Sequence, residues 1–173
     1  MKNWLIAIML SSLPVVAMAG DNSVGGFYLG GGVANVKVDV QYENTSDMIA
    51  EEIVGGYKLN PFVGVEARLG VGMKDNADLF YGSAYYRTES SNETAKTYLL
   101  LGYTFGVLAS DDAIDESVNL SGISYGAGVG FVLTPRLNLN FEYRAILVGS
   151  GDFDMGSRDI ELSGVSLNVD YRF

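Results

Sequence analysis

The stretch LNLNFEYRAIL, residues 137–147, decides the fold class, because its side chains alternate in polarity. On an extended strand, successive side chains point to opposite faces. One face would carry the apolar row Leu137, Leu139, Phe141, Tyr143, Ala145 and Leu147. The other face would carry the polar row Asn138, Asn140, Glu142 and Arg144. A soluble barrel or sandwich would bury the apolar row, whereas a membrane barrel would turn it toward lipid.

Similar alternation recurs along the chain and predicts eight strands. Their approximate ranges are 27–38, 48–59, 62–73, 79–88, 96–108, 118–133, 137–148 and 160–173. Three connections carry tight-turn chemistry, namely 60–61, 90–94 and 134–136. The other connections are predicted to be mostly longer, and two of them are acidic, with Asp111, Asp112, Asp115 and Glu116 in one and Asp152, Asp154 and Asp159 in the other. This alternation of tight turns and longer loops predicts an all-β, antiparallel up-and-down fold with two unlike ends.

The N-terminal residues have the order of a secretory signal peptide. Lys2 precedes an apolar stretch over residues 4–16, and Ala17-Met18-Ala19 forms a small-residue cleavage signal. The alternative is an uncleaved membrane helix, but the apolar stretch is shorter than the roughly 20 residues that such a helix needs. We therefore expect residues 1–19 to be a signal peptide and residues 20–173 to form one domain.

The composition excludes several classes of function. A net charge of −10 argues against nucleic acid as a partner. The chain has no cysteine, so no disulfide framework holds it together. It also has no histidine, which excludes the histidine-dependent hydrolase and acyltransferase chemistry of some small membrane barrels. We expect no catalytic residues, no cofactor and no bound metal.

Three features favour lipid on the apolar side. The polar rows contain glycines such as Gly64 and Gly128, which suit the crowded interior of an eight-stranded barrel. Aromatic residues gather near the tight-turn ends, as in a membrane-interface girdle, namely Tyr57, Phe131, Tyr171 and Phe173. The polar rows also pair opposite charges within a strand, which predicts a structural charge network in the lumen made of Glu52, Lys58, Glu66, Arg68, Glu142, Arg144, Asp170 and Arg172. The prediction is therefore an eight-stranded antiparallel transmembrane β-barrel.

Four segments carry a resemblance to a known family. They are GYKLNPFVGVEARLG (56–70), YLLLGYTFG (98–106), SYGAGVGFVLTPRLNLNFEYR (124–144) and SLNVDYRF (166–173). With them, the chain resembles the small eight-stranded outer-membrane β-barrel proteins of Gram-negative bacteria, the OmpA/OmpX-like group. The motifs are typical of the barrel and say little about the individual function.

The resemblance implies a location and partners. The chain would lie in the outer membrane, with tight turns in the periplasm, longer loops outside the cell, and lipid and lipopolysaccharide around it. The barrel-assembly machinery would read a C-terminal signal made of Leu167, Val169, Tyr171 and Phe173. Because the sequence stops at Phe173, we expect a barrel without the periplasmic domain that some family members carry.

Two candidate sites have a more ordinary interpretation. The carboxylates Glu66 and Glu142 could serve acid–base chemistry, but neighbouring arginines make a lumen salt-bridge network the better interpretation. The acidic segments 111–116 and 151–159 lack EF-hand spacing, so we expect solvated loops there. A secondary hypothesis is that divalent cations link these loops to lipopolysaccharide phosphates.

Three functions follow in order of preference. The first is a structural or surface role, in envelope integrity or in adhesion through acidic loops that contact an unidentified surface ligand. The second is a narrow porin-like channel for ions or small solutes. A lipid-modifying enzyme ranks last.

Overall fold

The computed structural model describes residues 25–40, 45–74, 77–90, 92, 94–110, 116–153 and 156–173. It contains eight strands, which are β1 (Gly26–Val40), β2 (Ser46–Asn60), β3 (Val63–Lys74), β4 (Ala77–Glu89), β5 (Ala95–Ser110), β6 (Glu116–Thr134), β7 (Leu137–Phe153) and β8 (Gly156–Arg172). Each strand pairs antiparallel with the next, and β8 pairs with β1. The predicted fold class and strand number are therefore confirmed. No helix of the described chain is long and apolar enough to cross a membrane.

The closed sheet is strongly staggered. Following paired residues once around the barrel leads from Leu29 on β1 to Asp39 on the same strand, ten residues further on. Such a stagger requires the strands to tilt relative to the barrel axis, typically by about 35–45° in closed barrels. Closure also leaves no unpaired sheet edge, which is the condition for a sheet to stand in hydrocarbon.

The strands extend further from the tight turns than the alternation predicted. Strand β7 continues to Phe153 and β8 begins at Gly156, so only residues 154–155 connect them. Residues 75–76 connect β3 to β4 in the same way, and 41–45 and 111–115 are the other two connections at this end. The prediction of longer loops is therefore wrong for the β3–β4 and β7–β8 connections, and Asp152 and Asp159 belong to strands. Glu116 also belongs to a strand, whereas Asp111, Asp112 and Asp115 lie in the connection 111–115, outside the described residues.

In the half of the barrel near the tight turns, apolar side chains face outward. On β8, Leu167 is 39% exposed on the outer surface and its neighbour Asn168 is 3% exposed in the interior. Further outward-facing examples are Phe27, Val65, Leu99, Tyr125 and Phe141. This is the orientation that the glycines and charges of the polar rows predict, and it defines the apolar band that faces lipid.

Toward the other end of the barrel the polarity inverts on β1 and β8. On β1, Lys37 and Asp39 are exposed, while Val36 and Val38 are buried inside. On β8, Glu161 is exposed while Leu162 is fully buried. On these two strands the wall at this end is therefore built like that of a soluble barrel, which indicates that it projects beyond the hydrocarbon into water, whereas Ile49 on β2 and Phe80 on β4 are still exposed apolar side chains on the outer face. On β1 and β8, apolar side chains therefore face lipid near the tight turns and fill the interior at the other end.

A β-bulge on β7 corrects one detail of the opening stretch. The register shifts between Ala145 and Leu147, which adds a residue to β7 relative to its partner. Ala145, Ile146 and Leu147 are all buried, and outward exposure resumes at Val148. The prediction that Ala145 and Leu147 belong to an exposed apolar row is wrong, because the bulge changes the phase of the alternation.

Candidate functional site in the barrel lumen

Five of the eight charged residues predicted for the lumen meet at mid-height. Arg68 on β3 holds both carboxylate oxygens of Glu142 on β7, with Nη1–Oε2 and Nη2–Oε1 distances of 2.5 and 2.7 Å. Its Nε donates to Glu66 at 2.5 Å. Arg144 Nη2 donates to Glu52 Oε1 at 2.6 Å. We call these five side chains, all at most 1% exposed, the ionic cluster.

The ionic cluster links strands on opposite sides of the barrel. Buried charges are stable only when paired and hydrogen-bonded, and Arg68 meets this condition by contacting carboxylates from separate strands. The in-strand pairs Glu66–Arg68 and Glu142–Arg144 are also in contact, the latter at 3.3 Å. The carboxylates Glu66 and Glu142 are therefore neutralised by arginine, which fits the structural interpretation of this pair.

The other three predicted lumen residues lie near the tight turns. Lys58 contacts Glu89 and not Glu52. Six residues along a strand separate Lys58 from Glu52 by roughly 20 Å, so the in-strand pair could not form. Asp170 accepts hydrogen bonds from Asn138 and Asn140, at 2.7 and 2.6 Å.

Arg172 completes this set, with its Nη2 3.8 Å from Glu89 Oε2. The in-strand partner of each of these three residues is thus replaced by a side chain from a different strand.

Sequence reasoning missed Arg87 and Glu89 on β4. Arg87 Nη1 lies 2.8 Å from Glu66 Oε2, and its Nε lies 2.8 Å from Glu89 Oε1. The guanidinium also lies 3.8 Å from the centroid of the Tyr98 ring. Arg87 thereby connects the ionic cluster to the charges near the tight turns. In the segment SAYYRTE (83–89), the adjacent tyrosines point to opposite faces, so the sequence does not show which face Arg87 and Glu89 share.

Inward-facing tyrosines support the ionic cluster. Tyr28 donates its hydroxyl to Glu66 at 2.7 Å, Tyr81 to Glu52 at 2.6 Å, and Tyr98 to Glu142 at 2.6 Å. Four such rings lie over a glycine of the neighbouring strand, in the pairs Tyr28–Gly56, Tyr81–Gly70, Tyr85–Gly102 and Tyr98–Gly128. A Cβ atom at any of these glycines would come within 2.7 Å of the ring. Glycine is therefore required where each tyrosine crosses the lumen.

An apolar cluster fills the lumen beyond the ionic cluster, away from the tight turns. We call it the apolar plug; it consists of Ala34, Val36, Val38, Met48, Ala50, Leu79, Tyr81, Val118, Leu120, Ile146, Leu147, Ile160 and Leu162. A continuous aqueous channel would expose the side chains that line it. Instead, Leu79, Ile146, Leu147 and Leu162 have no exposed surface. The ionic cluster and the apolar plug together close the described lumen.

The remaining sequence predictions concern a metal site, the acidic loops, the signal peptide and the C-terminal assembly signal. Within the described ranges, no group of three His, Cys, Asp or Glu residues could hold a metal ion. Residues 111–115 and 154–155, like residues 1–24 with the predicted signal peptide, lie outside the described residues. In the C-terminal segment, Leu167, Val169 and Tyr171 are exposed on the outer wall, and Phe173 N donates to Phe27 O at 3.1 Å. Their role as an assembly signal stays a prediction.

A closed eight-stranded sheet with a lipid-facing apolar band and a packed polar interior defines an integral β-barrel membrane protein. The sequence profile of the outer membrane protein beta-barrel domain family matches residues 5–173, so the chain belongs to this family and lies in the outer membrane. The predicted resemblance to small outer-membrane barrels is confirmed.

Solved structures share the fold. Neisserial surface protein A is 17% identical, with a TM-score of 0.70, and the match covers 86% of this chain and 97% of that one. Ail, the attachment invasion locus protein of Yersinia pestis, is 20% identical, with a TM-score of 0.63 and coverage of 87% and 99%. The outer membrane protein OprG of Pseudomonas aeruginosa is 12% identical, with a TM-score of 0.60 and coverage of 89% and 98%. A search of curated proteins finds no significant match.

Proposed function

We propose that this protein is a non-conducting structural barrel of the outer membrane that presents a charged rim to the cell exterior. The observation that supports the proposal is the filled lumen, in which a buried ionic cluster adjoins a buried apolar plug. A conducting state would require both layers to rearrange. Breaking one partner from a buried ion pair typically costs about 3–5 kcal/mol, and the ionic cluster contains several such pairs.

The charged rim supports a surface role. It consists of outward side chains beyond the apolar band, and among the described residues these include Asp39, Asp47, Asp78, Asp159 and Glu161, with Lys37 as a base. This excess of acids favours cationic partners, or lipopolysaccharide phosphates linked through divalent cations. Two barrels of the same fold are named a surface protein and an attachment invasion protein.

The rival function is a narrow channel, and planar-bilayer recording separates it from the structural role. Purified protein should be inserted after its heat-dependent gel shift has shown that it is folded. We expect a flat current at voltages where a porin, added afterwards to the same membrane, gives clear steps. Regular unitary conductance from the purified protein alone would overturn the proposal.

A lipid-modifying enzyme is less well supported. The acidic pair that could act on a substrate is buried and bound to Arg68. Incubating the folded barrel with phospholipid and lipopolysaccharide, followed by mass spectrometry of the lipids, should show unchanged masses. A new lipid species that depends on Glu66 and Glu142 would contradict the structural role.

A further inference from the structure

We propose that the lumen mouth at the tight-turn end binds a compact oxyanion such as a phosphate group. The mouth is a small cavity whose charged lining residues are Lys58, Arg87, Glu89, Lys96, Asp170 and Arg172. Four of them are cations and two are carboxylates, so this lining has an excess of positive charge. The net charge of the whole chain has the opposite sign.

The two carboxylates of the mouth are already in use. Glu89 is shared by Lys58, by Arg87 at 2.8 Å and by Arg172 at 3.8 Å. Both oxygens of Asp170 accept hydrogen bonds from asparagine amides. Glu89 is therefore shared among three cations, while Asp170 keeps its negative charge but has both oxygens occupied by neutral amide donors.

Two donors of the mouth lack a partner. Among residues 25–173 as far as the structure describes them, no carboxylate lies within ion-pair distance of the Lys96 ammonium. Arg172 Nε is buried and makes no hydrogen bond. Partly buried charged donors without a hydrogen-bond partner are costly, and an oxyanion would satisfy both donors through charge-assisted hydrogen bonds.

The size of the cavity limits how the anion can bind. Its enclosed part measures about 10 Å³, which is room for about one water-sized group. One oxygen of an anion can therefore enter, while the rest stays at the opening between Lys96 and Arg172. Both side chains reach the solvent in part, so they can adjust to the ligand.

Two sources could supply the group, namely a free periplasmic phosphate compound or the headgroup of an inner-leaflet phospholipid. The cations of the mouth point into the barrel, while the outer wall at this end carries aromatic side chains such as Tyr57 and Tyr171. This arrangement favours a free anion that enters along the barrel axis. The proposal does not depend on whether the barrel conducts.

The test is a phosphate titration of ¹⁵N-labelled protein in non-ionic maltoside micelles, at constant ionic strength adjusted with sodium chloride. We expect saturable amide shifts around Lys96, Gly130 and Arg172. The variant Lys96→Gln should weaken binding by about tenfold, since it removes one charge-assisted contact. The matched control is Lys37→Gln, an exposed lysine at the opposite end of the barrel, which should bind phosphate like the unmodified protein.

A second variant and a lipid arm complete the experiment. Arg172→Gln should also weaken binding, and folding of every variant is verified by its heat-dependent gel shift. Adding phosphatidylglycerol to the micelles identifies the source: displacement of phosphate assigns a headgroup, and unchanged phosphate binding assigns a free anion. The absence of saturable shifts, their reproduction by chloride alone, or equal affinity in Lys96→Gln would overturn the proposal.

Discussion

Two adjacent glycines on β2 differ in what surrounds them. Gly56 faces the lumen, where a Cβ atom would lie 2.3 Å from the Tyr28 ring. Gly55 faces outward, where the nearest atom to a Cβ would be Leu29 Cδ1, at an ordinary 3.8 Å. We expect Gly56→Ala to destabilise the barrel by about 1–3 kcal/mol, because the ring and its hydrogen bond to Glu66 must shift. Urea unfolding of the refolded protein in lipid vesicles measures the change.

The control for this prediction is Gly55→Ala. Since the added methyl group meets only ordinary contacts, its effect should be small. A loss of stability as large as that of Gly56→Ala would show that backbone freedom, and not the tyrosine contact, makes glycine necessary on this strand.

Arg68 is the residue on which most of the ionic cluster depends. Arg68→Ala would leave Glu66 and Glu142 buried without their main cation, so we expect a loss of about 3–5 kcal/mol in the same unfolding assay. The matched control is Arg136→Ala at an exposed turn, where the side chain donates a 3.3 Å hydrogen bond to the Tyr171 hydroxyl. That change should cost about 0–1 kcal/mol. Equal costs would contradict the assigned role of Arg68.

At the scale of the strand, β8 tests which face meets lipid. Leu167→Arg places a charge in the apolar band and should cost about 2–4 kcal/mol and impair insertion. Asn168→Ser changes the adjacent lumen side chain and should be mild. Vesicle-insertion yield and urea unfolding give both values.

A third position on β8 tests the inverted end. Glu161 shares the outer face with Leu167 but lies beyond the apolar band, so Glu161→Arg should be close to neutral because the side chain stays in water. A cost near that of Leu167→Arg would place this part of the wall in hydrocarbon and contradict the inversion.

The strands show what the sequence could and could not predict. Alternation in segments such as 163–173 was sufficient for eight strands and for the lipid-facing row, because its period is set by backbone geometry. It could not reveal the bulge near Ile146. One additional residue changes which side chains face inward, but it leaves the types of residue in the segment unchanged. The inversion on β1 was also missed, because an apolar row looks the same whether it faces lipid or fills the lumen.

The lumen was predictable only in part for a similar reason. Charges in the polar rows indicated interior pairs, and five of them do meet in the ionic cluster. Which acid contacts which base depends on register and stagger around the barrel, so Glu89 could not be assigned to Lys58 from in-strand spacing. Fold alone also leaves the biological role open, since one barrel architecture serves many functions.

At the scale of the whole molecule, closure makes opening cooperative. No strand can leave the barrel without breaking two ladders of backbone hydrogen bonds, together with contacts across the lumen. We expect the folded protein to resist sodium dodecyl sulfate until heated and then to migrate differently in a gel. Identical mobility with and without boiling, for protein extracted from membranes, would contradict a closed barrel.

The packed interior has a consequence for the cell that makes the protein. Each copy of the protein would add a rigid barrel without an open pore to the outer membrane. The number of copies could therefore rise without leakage of nutrients or entry of toxic compounds. Cells that overproduce the protein should keep their resistance to small antibiotics. Cells that overproduce a variant without the large side chains of the ionic cluster and the apolar plug should lose this resistance.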